Sequence, residues 1–397
     1  MTTPLEGVRV VDLSRVLAGP FCSQALADLG ATVIKVEHPD GGDDTRRFGP
    51  PFLEGESTYY LSINRGKRSI ALDFKHPQGR EVLDKMLAGA DVLLENFRPG
   101  TLDKIGLGAA ACAERFPRLV YASISAYGHD GLPEYSRQPG YDLMAQGLGG
   151  IPSLTGPVDG GPSKVGASIA DVVSGMLTTQ GILAALLQRE RTGRGPRVDI
   201  SMLDGQVALL TYLAAATLNT GKTPRRAGNR HMSIAPYSTY AAADGWLNIA
   251  VASEGLWKKF TLAMDCPEWA SDPRFASNSA RVQNITALED ALCPRLQEHP
   301  VATWLTRFEA AGIPAGPVLT LDQTLAHPQL AVRDMVLDLP HPRLGSVRLT
   351  GNPVRIDDGF VARAAPPTLG EHTDEILNEF GYSAEDIAGL RACGAIA

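Results

Sequence analysis

The chain has 397 residues, with 37 Lys and Arg against 44 Asp and Glu, 44% apolar residues and 20% charged ones. That length exceeds what one hydrophobic core usually serves, so two or more domains are expected, and the composition is that of a folded chain rather than a disordered one. The net charge of −7 gives nucleic acid and anionic lipid no general attraction, so neither is an expected partner.

No run approaches about 18 uninterrupted apolar residues, so no transmembrane helix is expected. Residues 1–10 lack the basic end and apolar run of a signal peptide. Cys22, Cys112, Cys266, Cys293 and Cys393 are scattered, form no CxxC and share no ligand spacing with His. A structural metal or a disulfide framework is therefore not expected, and reduced cysteines in a cytoplasmic protein are.

The first third of the chain alternates β-rich runs with helical patterns. Strands are predicted at 8–13, 32–37, 69–74, 91–94 and 119–124, with helices near 25–29, at 77–87 and at 102–115. Strand, helix, strand in this rhythm means right-handed crossovers and an open, mostly parallel, Rossmann-like α/β sheet. A glycine-rich segment containing Gly147, Gly149, Gly150, Gly156, Gly160 and Gly161 follows. Asp171 then opens a long helical pattern whose apolar stripe ends at Thr192-Gly193. A short strand at 197–200 leads into a helix from 202 to about 218, and 222–228 reads as a linker. Beyond it come a hairpin at 237–242 and 246–252 around an Asp244-Gly245 turn, and helices at 254–264, 285–296 and 301–311. A second hairpin at 335–349 and helices at 374–380 and 384–392 close the chain. The expected layout is a large α/β domain at 1–203, a linker helix at 204–224, a smaller α+β domain at 225–325, a return linker at 326–348, and the end of the large domain at 349–397.

Glu37 stands where a ribose-binding acid of a dinucleotide fold would sit, but the first turn reads Leu17-Ala18-Gly19-Pro20 instead of GxGxxG, which disfavours a nicotinamide or flavin cofactor. Cations gather near strand ends, and 64–68 and 96–100 combine Arg or Lys with Asn and Gly. Most of that charge is ordinary solvated surface, yet ligands of open α/β sheets bind beyond the carboxyl ends of strands, and such groups hold phosphates. Asp171, at the mouth of the long helix, fits an N-cap role by position alone. The helix terminus also favours its ionised form, and a carboxylate can serve as covalent nucleophile toward an activated acyl group. Backbone N–H groups of the glycine-rich segment could face the developing oxyanion. No GxSxG, no HExxH and no Cys beside a base is present.

Several runs together resemble family III coenzyme A transferases, the CaiB/BaiF family: 4–20 (PLEGVRVVDLSRVLAGP), 29–37 (LGATVIKVE), 42–46 (GDDTR), 64–70 (NRGKRSI), 95–100 (ENFRPG), 191–195 (RTGRG) and 369–373 (LGEHT). The resemblance implies an interlocked homodimer. In it, the amino-terminal part and the tail would build one α/β domain and the middle region a smaller one joined by two linkers. It makes Asp171 the nucleophile, passing through an aspartyl-acyl anhydride and an aspartyl-CoA thioester, with Tyr141 as the accompanying catalytic residue. CoA is implied to lie along Arg15, Val16, Leu17, Ala18, Leu72, Lys75, Asn96, Phe97, Lys104 and Arg137. His38 stands where several relatives place an Arg against the nucleotide. No permanently bound cofactor or metal is implied; coenzyme A esters and carboxylic acids are the substrates.

The racemase branch of the family pairs the matching Asp with the His of a GHD motif. Here the run is Pro139-Gly140-Tyr141-Asp142, and Tyr, with an ordinary pKa of about 10, does not suit proton exchange near neutrality. Oxalate-directed members carry Gln at Leu17 and a glycine-rich lid at Ala252-Ser253-Glu254-Gly255, so formyl-CoA:oxalate chemistry is disfavoured. The runs 49–52, 56–62 and 231–237 look most like the succinyl-CoA and glutarate branch. The expected acceptor is thus a dicarboxylate such as glutarate, itaconate or malate, its second carboxylate held by Arg47, Arg230 or His231. Intramolecular CoA movement within a dicarboxylyl-CoA, and CoA binding without turnover, are the alternatives.

Overall fold

The structure, a computed structural model, describes residues 3–136, 138–357 and 364–397. It separates into two compact units, one of Met1–Ile151, Val165–Thr220 and Pro328–Ala397, the other of Pro152–Lys164 and Gly221–His327.

The first unit is built on β1 (Arg9–Asp12), α1 (Ala18–Asp28), β2 (Thr32–Glu37), β3 (Arg68–Ala71), α2 (Pro77–Ala88), β4 (Val92–Glu95), β5 (Val120–Ser125), α3 (Asp142–Leu148), α4 (Ile169–Thr192), β6 (Arg197–Ser201), α5 (Met202–Leu209) and α6 (Thr211–Thr220). The six strands form one sheet in the order β3-β2-β1-β4-β5-β6, every pairing parallel. Both faces of a parallel sheet are covered, so its strands send apolar side chains to both sides. Val11, Ile34, Ile70 and Leu93 pack with Val82, Leu83 and Met86 of α2 on one face. Val10, Val33, Val92, Leu94 and Val120 pack with Cys22 and Leu26 of α1 and Ile182 of α4 on the other. Each such side chain, fully withdrawn from water, contributes about 1.5–3 kcal/mol. The strand order reverses between β1 and β4, and the chain ends that leave those two strands diverge to open a crevice.

The tail completes this unit. Ile376 and Leu377 of α7 (Thr373–Glu379) and Ile387 and Leu390 of α8 (Ala384–Ala392) join the core of the α2 face. A hairpin of two strands, Val336–His341 and Gly345–Thr350, places Leu339 and Val347 on Leu61. α4 is 24 residues long and apolar enough to span a membrane by length and composition; its apolarity goes into packing, with Ser174, Gly175, Thr178, Ile182 and Ala185 buried.

The second unit has a three-stranded antiparallel sheet of Tyr237–Ala241, Trp246–Ala250 and Ala315–Pro317. Helices Glu254–Ala263, Ile285–Leu296 and Val301–Ala311 close its core around Trp257, Phe260, Trp304 and Phe308. Arg281 is fully buried there, donating to the carbonyls of Ala235 (2.7 Å) and Phe275 (2.9 Å) and pairing with Glu254.

Several expected elements differ. Residues 204–220 are α5 and α6 of the first unit, broken where Thr211 takes φ +38°. Residues 152–164 group with the second unit. The helix expected at 102–115 is a 3-10 turn at Asp103–Ile105 and a helix at Ala109–Arg115. Gly106 stands at φ +66° between them, and a left-handed residue ends a helix.

Candidate active site

Beyond the carboxyl ends of β1, β4, β5 and β6 lies a cavity of about 430 Å³, within the first unit. Its walls are Arg15–Ala18, Asn96–Pro99, Ile124–Tyr127, Gln138–Tyr141, Asp171 and Met202, by number 15–18, 96–99, 124–127 and 138–141. This is the crevice where the strand order turns, the place open α/β sheets bind ligands.

The turn after β1 is held from beneath by buried charge. Val16 has φ +67°, a left-handed conformation that a β-branched residue adopts only under constraint, at a cost of about 1–3 kcal/mol. Its N–H donates to Asp43 Oδ1 (3.3 Å), and Asp43 is ion-paired with the fully buried Lys35 at 2.8 Å. Lys35 also donates to the Ser14 carbonyl (3.0 Å). Across the crevice the Asn96 amide accepts from Arg15 N (2.8 Å) and donates to Arg15 O (2.7 Å), joining the ends of β1 and β4. The Arg15 guanidinium lies 5.3 Å from the Phe97 ring centre. Glu37 is consumed internally: it takes both branches of Arg46 (2.7 and 2.8 Å), the Ser69 hydroxyl and Asp43 N. It is not free for a ribose.

Asp171 is the third residue of α4, and the N-cap is Ser168, whose hydroxyl makes no cap bond. The Tyr59 hydroxyl lies beside it. Close approach of α1 and α4 sets the depth of Asp171. A Cβ on Gly175, one turn on, would sit 2.7 Å from the Ala18 carbonyl oxygen and 2.9 Å from the Phe21 ring. Gly140 likewise lets 139–141 enter the cavity, since a Cβ there would sit 2.1 Å from Ala126 Cβ.

The helix terminus was expected to hold Asp171 ionised. Burial, reinforced by the nearby Asp142 carboxylate, instead pushes its pKa up to about 7; desolvation and like charge outweigh the dipole. Such a group is half ionised at neutrality and more basic, hence a stronger nucleophile, than an ordinary carboxylate. The glycines expected to serve an oxyanion do not line the cavity: Gly147, Gly149 and Gly150 lie in and after α3, and Gly156, Gly160 and Gly161 belong to the second unit.

Of the expected site residues, Arg15, Val16, Leu17, Ala18, Asn96, Phe97, Tyr141 and Asp171 meet in this one cavity. Leu72 is a fully buried core residue. Lys75 and Lys104 are exposed outside the lining, and His38 lies 3.9 Å from Asp73. Arg47 is exposed and pairs with Asp44, itself a lining residue. Arg230 belongs to the second unit, with Nε 2.8 Å from Glu289 Oε1; His231, in the same unit, packs on Tyr237. Ala252–Gly255, by number 252–255, begins a helix with Ser253 as its cap. Arg137 lies outside the described residues. Sequence reasoning did not single out Asp142, Tyr59 or Asp43. All three stood in motifs quoted for the family without roles, and Asp43 shows its importance only once burial and partners are seen.

Comparisons with known proteins identify the family. The sequence model of CoA-transferase family III matches residues 5–373. Succinyl-CoA:glutarate CoA-transferase of Mus musculus is 41% identical over 95% of this chain and 86% of its own length. Acetyl-CoA:oxalate CoA-transferase of Acetobacter aceti is 41% identical over 95% of this chain and 96% of its own. Among solved structures, a CaiB/BaiF family protein from Brucella suis superposes with a TM-score of 0.86 at 41% identity, covering 96% of this chain and 100% of that one. The chain belongs to CoA-transferase family III and is a CoA-transferase.

Proposed function

We propose that the protein moves CoA from succinyl-CoA to a free dicarboxylate, with Asp171 as the covalent carrier. The observation that carries this reading is a half-buried carboxylate, Asp171, poised near neutrality in the switch-point cavity of a CoA-transferase fold. The names of the two relatives place glutarate and oxalate on those proteins, and a dicarboxylate acceptor is what the two have in common.

In this reading an Asp171 oxygen attacks the donor thioester carbonyl; the C–S bond breaks and CoA leaves as thiolate. The thiolate then attacks the aspartyl carbonyl of the anhydride, releasing the donor acid and leaving CoA on Asp171. The acceptor carboxylate displaces CoA to form a second anhydride, and the thiolate attacks the acceptor carbonyl, restoring the Asp171 carboxylate. A free carboxylate is a poor acceptor for a thiol, and the anhydride supplies the activation without a nucleoside triphosphate. The N–H groups at the start of α1, on the lining residues Leu17 and Ala18, have no side-chain cap among the described residues and suit an oxyanion. Arg15 and Arg98 supply cations at the same cavity.

The test is mass-resolved product analysis with succinyl-CoA and a panel of glutarate, malate, itaconate, mesaconate, oxalate and one monocarboxylate. A new CoA ester with stoichiometric succinate from a dicarboxylate supports the reading. No new ester from any acid overturns the succinyl donor, and α-proton exchange in heavy water without transfer would assign the racemase chemistry instead.

A further inference from the structure

α4 carries the nucleophile but does not cap itself. The hydroxyl of its N-cap, Ser168, makes no bond to the helix, and an uncapped helix start leaves N–H donors unsatisfied. The cap comes from another helix. Asp142, the first residue of α3, accepts the Ala170 N–H at 2.8 Å through Oδ1 and the Gln146 side-chain amide at 2.7 Å through Oδ2. Gln146, fully buried, passes the connection on by accepting Val165 N at 3.0 Å. One carboxylate thus fixes the peptide immediately before Asp171 and, through Gln146, the segment that leads into α4.

This external cap is charged where the oxygen of a Ser, an Asn or a backbone carbonyl would have accepted the Ala170 N–H without charge. Its charge acts on Asp171 and is the like charge that disfavours the ionised nucleophile. The other titratable groups disposed around Asp171 are Tyr59, beside Ser168, and Asp44, Arg15, Arg98, Tyr127 and Tyr141 on the cavity wall. A like charge beside a carboxylate favours whatever neutralises it. A proton does so, and so does an acyl or CoA group on the same oxygen, since anhydride and thioester are both uncharged at Asp171.

We propose that Asp142 is a positioning residue that caps the nucleophile's helix from outside and, by its charge, shifts Asp171 from the free carboxylate toward its covalent acyl and CoA forms. The inference rests on the covalent reading of Asp171 given above. Proton affinity and acyl affinity respond to the same repulsion, so removing the charge moves both in the same direction, by comparable factors.

The experiment compares wild type with Asp142→Asn, which keeps a carbonyl for Ala170 N without the charge, and Asp142→Ala, which removes both. Asp142→Ser, uncharged and still an acceptor, replaces the Asn variant if that one fails to fold by circular dichroism and thermal melting. Two quantities are read: the pH of the acidic limb of kcat/KM, and the ratio of CoA-bearing to free Asp171 after acid quench of enzyme mixed with acyl-CoA, by mass of the intact chain. The expected result for Asp142→Asn is an acidic limb about one pH unit lower and a covalent ratio about tenfold lower. Asp142→Ala should show the same two changes with a further fall in kcat from the lost cap. An Asn variant that transfers CoA with the acidic limb and the covalent ratio of wild type overturns the charge role. Equal kcat for the Asn and Ala variants overturns the capping role. Failure of the underlying reading looks different: wild type itself would transfer CoA without any adduct on Asp171, which removes the proposal with it.

Discussion

Replacing Asp171 by Asn keeps the shape of the side chain and removes its charge, so it separates what the carboxylate does for chemistry from what it costs the fold. Moving a carboxyl group from its ordinary 3.8 to about 7 corresponds to about 4 kcal/mol of disfavour carried by the ionised form. Asp171 is only half-buried, and screening lowers the expected figure to about 2 kcal/mol. The native state binds this proton more tightly than the unfolded chain does. The associated stability is therefore complete below about pH 4 and is lost as pH rises through about 7. The Asn variant escapes that loss. Its stability relative to wild type should grow between pH 4 and 7 and level off above about pH 8 at a gain of about 2 kcal/mol, while CoA transfer falls by about 10⁴-fold or more. Urea unfolding of both proteins across that range measures the difference, in which titrating groups that do not interact with Asp171 cancel. A stability difference that does not change with pH, or a variant keeping a tenth of the activity, would refute the reasoning.

Three further outcomes follow from the same geometry. Gly175→Ala places a methyl against the Ala18 carbonyl and the Phe21 ring. It should destabilise by about 1–3 kcal/mol in chemical denaturation and lower kcat more than tenfold, because Ala18 and Asp171 face the same cavity. Asn96→Ala removes both bonds to Arg15 and should raise KM for acyl-CoA by about tenfold, from roughly 1–2 kcal/mol of lost positioning, with kcat changed less. Arg281→Ala leaves the Ala235 and Phe275 carbonyls without their donor inside the second unit and should cost about 3 kcal/mol, seen as an earlier unfolding transition.

Much of the sheet was legible in the sequence because a doubly covered parallel sheet writes itself as short, continuous apolar runs. Val10, Val33 and Val92 sit where the pattern put them. The helices at Val301–Ala311 and Ala384–Ala392 matched to the residue, one after Pro300 and the other after a Ser383 capping box. The break at Thr211 was not legible, since no Gly or Pro marks it. The strand expected at 69–74 ends at Ala71, after which Leu72 bridges to Ile396 of the tail, a contact no local pattern encodes. For the site, the position of Asp171 at a helix start could be read from spacing, but its ionisation could not. A helix terminus and a nearby acid pull in opposite directions, and only the fold brings Asp142 from 29 positions away, 171 against 142 in the chain, to decide between them. Lys35 and Asp43 are likewise unreadable, because a buried ion pair looks in sequence like two surface charges.

The central claim, that Asp171 itself becomes the carrier, is tested most directly by oxygen tracing. In the proposed sequence the acceptor's attacking oxygen stays on Asp171 when the second anhydride is cleaved, and leaves with the donor acid in the next turnover. Running the reaction with an acceptor acid labelled with ¹⁸O in its carboxylates should therefore place label in the peptide bearing Asp171 and, after several turnovers, in the released succinate. Transfer of CoA at the full rate with label in neither would contradict the account.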